Sequence, residues 1–245
     1  MRLPLEGTPL MTRGRRMHER APVVLAVSYR STGGFLVSYS LNISRGGLFL
    51  ESDSPLPVGT SLTLRMQIPG GSTEAHEIQG HVAWIREEES EEGRPGMGLA
   101  FDGVDESMGQ LIDDLVASFE GLHIVLVGGK SSKSRSHLAG RLRSLLRGKV
   151  TEVGGKISAV DQLTEGVDLV VADLDRAGTE GLAFLKWVSE KLENPVSVVA
   201  MASTPEMQEN AKNAGADEIV SSHGSPREFR LAVLRAISRP LVTKE

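Results

Sequence analysis

At 245 residues, with 40% hydrophobic and 24% charged side chains, the chain has the composition of a globular protein, long enough for two domains of ordinary size. It contains no cysteine, which excludes disulfides, thiolate metal sites and cysteine nucleophiles, and no apolar run approaches the roughly 20 residues that span a bilayer. A net charge of −5 speaks against coating nucleic acid, so direct DNA binding is not expected and any anion site must be local.

Residues 1–11 read as a flexible tail, within a basic stretch in which Arg2, Arg13, Arg15, Arg16 and Arg20 face only Glu6 and Glu19. It lacks the apolar core of a secretory signal, and a cytoplasmic location is expected. From Val23 to Phe101 apolar residues alternate with polar ones, as in Leu62, Leu64, Met66 and Ile68. This predicts strands over Val23–Tyr29, Phe35–Leu41, Leu48–Glu51, Leu62–Ile68, Ile78–Ile85 and Met97–Phe101. Turn clusters separate them, among them Ser31-Thr32-Gly33-Gly34 and Pro69-Gly70-Gly71, and the acidic run Glu87–Glu92 reads as a solvated loop. Short strands without intervening helices predict an all-β antiparallel barrel. The period then shifts: Met108, Leu111, Ile112, Leu115, Val116 and Phe119 predict a helix that closes a first domain over residues 12–120.

Beyond Gly121 apolar runs alternate with helical patterns. Strands are predicted at His123–Val127, Val150–Val153, Asp168–Ala172, Val196–Met201 and Glu218–Val220, which makes residues 122–240 an α/β flavodoxin-like domain with a parallel sheet. Each half has its own apolar pattern, so the two are expected to fold separately, with few contacts crossing the join.

Two short pieces of the first half share a chemical logic. Arg16 and Arg20, four apart ahead of the first strand, offer planar bidentate donors suited to phosphate oxygens and to stacking on a purine. Asn42, Ser44 and Gly47 offer a side-chain amide, a hydroxyl and a close backbone approach. The pairing resembles the RxxxR and (D/N)xSxxG motifs of PilZ domains. Gly80-His-Val-Ala-Trp84 and Pro95-Gly-Met-Gly98-Leu-Ala-Phe101 resemble that family's late strands. The resemblance implies cyclic di-GMP as ligand, bound by Arg15, Arg16, Arg20, Asn42, Ser44 and Gly47, with Arg15 at the position that accompanies a stacked ligand dimer. It also implies a bacterial second-messenger effector without enzymatic activity, of the kind that regulates motility or biofilm. Trp84 reads as barrel core and His18 as a spacer.

In the second half, Asp168-Leu-Val-Val-Ala-Asp173-Leu-Asp175 resembles the phospho-acceptor strand of response-regulator receivers, with Asp173 at the acceptor position. The acids that would hold magnesium there are replaced by Gly128-Gly129, Ala200 stands in place of a threonine or serine, and Ser222 in place of a lysine. The resemblance therefore implies a degenerate receiver in which Asp173 is vestigial, with Asp173 and Asp175 as exposed acids at a strand end. Gly128-Gly129-Lys130-Ser131 is no Walker loop, because Ile124 stands where the earlier glycine belongs. No metal site or catalytic motif is found, and the expectation is a non-enzymatic protein that relays cyclic di-GMP levels to an unidentified protein partner. A ligand-independent adaptor and a phosphorylation-controlled regulator are the alternatives.

Overall fold

The computed structural model describes residues 23–43, 46–68, 75–89, 94–129, 131–146, 148–154, 166–191 and 196–244. The first half holds β1 (Val23–Ser28), α1 (Thr32–Leu41), β2 (Gly47–Glu51), β3 (Ser61–Gln67), β4 (His76–Arg86), β5 (Gly96–Phe101) and α2 (Glu106–Ser118). Period-two burial makes the strands. Leu62, Leu64 and Met66 of β3 point into a core with Leu48 and Leu50 of β2 and Phe35 of α1, while Ser61, Arg65 and Gln67 face outward. Helix α2 closes this core with Met108, Ile112 and Leu115, and its start is capped by Asp105, which accepts from the Met108 N–H at 2.8 Å.

The second half holds β6 (Leu122–Val127), α3 (Ser132–Leu145), β7 (Gly148–Val153), β8 (Leu169–Asp173), α4 (Leu174–Lys191), β9 (Ser197–Met201), α5 (Pro205–Asn213), β10 (Glu218–Val220), α6 (Pro226–Ser238) and β11 (Leu241–Lys244). Strands β6 to β10 form one sheet in the order β10-β9-β8-β6-β7, and every pairing is parallel. This is the order of doubly wound flavodoxin-like sheets, with the strand order reversing between β6 and β8. One face packs Ile124, Leu126 and Leu169 on Leu142 of α3 and Phe229 and Val233 of α6. The other packs Val125, Val127 and Val170 on Phe184, Leu185 and Val188 of α4.

Two features depart from the expected all-β antiparallel barrel. The six-stranded sheet runs β11-β1-β3-β4-β5-β2 with open ends, and it is mixed, because β1 lies parallel to β3. Residues 35–41 form most of helix α1 rather than a strand. The Ser31 hydroxyl caps that helix, accepting from the Gly34 N–H at 3.0 Å, and the helix is buried on several sides at once. Phe35 and Leu36 enter the first core, whereas Val37 packs against the second. Gly33 and Gly34 permit this wedge: a Cβ on Gly33 would meet Asp168 at 2.5 Å, and one on Gly34 would meet the Ile237 carbonyl at 2.7 Å.

The halves therefore share far more than the join near Gly121. The end of the chain returns to the first sheet, where β11 pairs antiparallel with β1 from Leu25↔Lys244 to Ser28↔Leu241. A set of arginines ties the same region. Arg30 grips Asp217 with two bonds of 2.5 and 2.9 Å, and Asp217 also accepts from the Val198 N–H at 2.8 Å. Arg239 reaches Glu51 of β2 at 3.0 Å and Glu218 of β10 at 2.5 Å. Arg94 donates to the Asp217 carbonyl at 3.0 Å.

Candidate functional site

The segment that joins α1 to β2 carries the second motif. Asn42 ends the helix, its N–H donating to the Ser38 carbonyl at 2.9 Å, and the next residue, Ile43, is buried in the first core. Gly46 has φ +83°, a left-handed conformation that glycine adopts without a Cβ clash. Its N–H donates to the Ile43 carbonyl at 2.8 Å, and its carbonyl accepts from the Phe101 N–H at 2.8 Å. Gly47 opens β2 opposite Ala100, so close to β5 that a Cβ there would collide with the Leu99 carbonyl. The turn is thus pinned at both ends, with Asn42 half-buried at its start. Asn42 ends α1 and Gly47 opens β2. Arg15, Arg16, Arg20 and Ser44 lie outside the described residues.

On β2, Gly47, Phe49 and Glu51 share the face opposite the core-facing Leu48 and Leu50. Beside the motif glycine on that face lies an aromatic stack that the sequence did not reveal. Phe49 and Trp84 stack with centroids 5.2 Å apart and planes 19° off parallel, and the Arg86 guanidinium sits 4.7 Å from the Phe49 ring. Trp84 is 45% exposed, which corrects its reading as barrel core. The cause is an irregularity in the β4–β5 ladder between Val82 and Trp84, which turns the indole outward. The intervening strand β5 leaves room for the rings, because a Cβ on Gly98 would collide with the Trp84 indole and one on Gly96 would meet Phe49 at 2.7 Å.

In the second half Asp173 ends β8, at the carboxyl edge of the parallel sheet, and is not an exposed acid: it is 3% exposed. One carboxylate oxygen accepts from Arg176 at 2.6 Å, and the other is buried with no hydrogen-bond partner. Gly128 and Gly129 follow β6, and a Cβ on Gly129 would meet the Arg176 carbonyl at 2.5 Å. Asp175 is exposed and turns instead to Ser203, accepting from its N–H at 3.0 Å and its hydroxyl at 2.6 Å. Burial works against ionisation of Asp175, but the Ser203 hydrogen bonds and the nearby His223 outweigh it and hold the carboxyl below its usual range. Among the described residues no group of three or more His, Asp or Glu side chains could hold a metal ion.

The motif positions and the late-strand glycines all fall within one stretch that a comparison with protein families picks out. Residues 14–118 match the PilZ domain family. The PilZ match ends at Ser118, the last residue of α2, and contains Arg15, Arg16 and Arg20 as well as the Asn42–Gly47 turn. No curated protein matches the chain. Among solved structures, a response regulator receiver domain protein of Clostridium thermocellum is similar over 47% of this chain and 94% of its own, at 15% identity and a TM-score of 0.42. The receiver domain of a sensor histidine kinase of Pseudomonas aeruginosa is similar over 48% of this chain and 98% of its own, at 22% identity and a TM-score of 0.42. A chemotaxis response regulator of Vibrio cholerae is similar over 47% and 98%, at 16% identity and a TM-score of 0.40.

Proposed function

We propose that this protein is a cytoplasmic, non-enzymatic effector that binds cyclic di-GMP through its PilZ segment and relays the signal to a protein partner through the second half. The observation that carries the reading is the PilZ match over residues 14–118, which holds both arginines of the first motif and all three residues of the second. In this reading Arg16 and Arg20 engage the ligand's phosphates and guanine edges, Arg15 supports a stacked ligand pair, and Asn42, Ser44 and Gly47 supply a side-chain amide, a hydroxyl and a close backbone approach. Charge-assisted bonds form only in the bound state, and that difference in contacts supplies the free energy for a change in output. The arginine segment runs in sequence directly into β1, which lies between β3 and β11 and leads to Arg30, so ligand contacts made just ahead of β1 would act on strands tied to the second half.

Calorimetric titration of the full chain with cyclic di-GMP tests this. Wild type should bind at micromolar ligand, and Arg16→Ala or Arg20→Ala should each weaken binding at least about tenfold, as loss of a charge-assisted bond predicts, with little change in melting temperature. Arg15→Ala should lower the ligand-to-protein ratio from two toward one. No heat and no melting shift well above micromolar ligand would leave an interaction adaptor that has no use for the nucleotide.

A further inference from the structure

The cleft above Asp173 carries a polarity opposite to that of a magnesium site. It lies at the carboxyl ends of β6 and β8, where the sheet order reverses, and open α/β sheets bind ligands at such points. Its volume is about 400 Å³, within the usual range for small-molecule sites. Lys133, His137 and Arg141 of α3 line one side, Arg176 of α4 another, and Ser222 closes it. The acids that would attract a cation are absent from the end of β6, where Gly128 and Gly129 stand.

Helix α3 also begins at this cleft. Its N-cap residue, Ser131, makes no side-chain capping bond, so the first-turn N–H groups lack the partner that a serine cap usually supplies. The N-terminal end of a 14-residue helix adds a partial positive charge to that of Lys133. The second, independent feature is Asp173. It is 97% buried by its 3% exposure and lines the cleft, with one oxygen on Arg176 and the other without any partner. A buried carboxylate oxygen left unpaired is costly, and a ligand that donates an N–H or O–H to it removes that cost.

We propose that this cleft is a non-covalent, metal-independent binding site for a small phosphomonoester that also carries hydroxyl or amino donors, of the nucleoside monophosphate class. The phosphate sits between Lys133, Arg176 and the start of α3, and a donor group of the ligand satisfies the free oxygen of Asp173. The site is separate from the PilZ segment and does not depend on cyclic di-GMP. Nor is it a Walker loop, since the sequence lacks the first glycine and the contacts come from the helix start and flanking cations.

The test is titration of the full chain with adenosine monophosphate, ribose 5-phosphate and inorganic phosphate in EDTA, followed by calorimetry and phosphorus NMR. At least one of the two phosphomonoesters should bind more tightly than inorganic phosphate. Arg176→Ala and Lys133→Ala should each weaken that binding about tenfold or more, while Lys186→Ala, on the exposed side of α4, leaves it unchanged. Lys133 is itself exposed, so its variant reports on binding even if Arg176→Ala unfolds. Absence of binding at millimolar ligand, or binding indifferent to both substitutions, overturns the proposal. So does an alkali- and hydroxylamine-labile phosphate appearing on Asp173 after incubation with acetyl phosphate and magnesium, which would mark a phospho-acceptor. Binding that survives in Arg16→Ala, with cyclic di-GMP binding lost, shows that the two sites fail or stand separately.

Discussion

Replacing Arg30 by alanine should destabilise the whole chain, because its partner is the hub of the contact between the halves. The Arg30 and Asp217 side chains are 15% and 12% exposed and joined by two bonds of 2.5 and 2.9 Å. Removing one partner of a well-buried pair costs about 3–5 kcal/mol, since the other charge is left in a poor solvent. Asp217 would keep the Val198 N–H at 2.8 Å and Arg239 at 3.8 Å, which places the loss at the lower end, about 3 kcal/mol. For a chain of this size that lowers the melting temperature by about 6–12 °C. The internal control is Arg65, paired with Glu77 at 3.0 Å on the outer face with side chains 45% and 55% exposed. Its loss should cost under about 1 kcal/mol. Calorimetry and urea melts of the two variants, at low salt and in 1 M sodium chloride, give the comparison, and the Arg30 effect should persist in salt because buried pairs are screened least. If Arg30→Ala costs no more than Arg65→Ala, the two halves are not held together by this pair.

Three further outcomes follow from single positions. Gly47→Ala should cost about 1–3 kcal/mol through its collision with the Leu99 carbonyl, and should weaken cyclic di-GMP binding beyond the loss explained by unfolding, as a melt and a titration of the same sample would show. Burial pushes the Tyr29 phenol up to about 12 against a lowering hydrogen bond from Ser38, so its stabilising effect is complete below pH 10 and is lost as pH rises toward 12. Up to about 3 kcal/mol is at stake over that window, and Tyr29→Phe should flatten the alkaline arm of the stability profile; an unchanged slope would show that other groups control it. Residues 122–240 expressed alone should melt cooperatively, because the packing on both faces of the parallel sheet is drawn from this half except for Val37 and Phe119; an aggregated fragment would mean that α1 is indispensable to it.

The parallel half was legible because its central strands are buried on both faces and read as unbroken apolar runs between helices. Leu169–Asp173 and Ser197–Met201 are buried at every position, and the predicted ends fall within a residue of those observed. Helix α1 was not legible. Phe35, Val37, Tyr39 and Leu41 alternate as a half-buried strand would, and only packing against both halves decides for a helix. The four residues of β11 give too short a pattern, and their pairing is fixed by β1, more than 200 residues earlier in the chain. Trp84 was misread because a ladder irregularity leaves no trace in hydropathy, although Gly98 opposite it and Gly96, which makes room for Phe49, were a signal that large rings cross that strand. Of the site residues, Asn42 and Gly47 sit in a connection whose glycines the backbone demands, which is why the motif could be seen at all. The tie between the halves could not be seen, for Arg30, Asp217, Glu218 and Arg239 have no characteristic spacing and meet only through the topology.

That topology makes β2 the element on which the two halves of the proposed function converge. Its outward residues are, in order, the motif's Gly47, the stacked Phe49, and Glu51, which Arg239 holds at 3.0 Å. Five residues in register with β5 join Gly47 to Glu51 over roughly 13 Å, so a displacement at Gly47 would be felt at Glu51 if the strand moves as a unit. A ligand that favours one placement of the motif turn then favours one state of the Glu51–Arg239 pair, and Arg239 also holds Glu218 of the parallel sheet. Such coupling is reciprocal: if binding at the turn alters the ion pair, the state of the pair must alter the affinity at the turn by the same free energy. The strand that carries the motif's Gly47 is therefore one physical route, beside helix α1, between the motif turn and the second half.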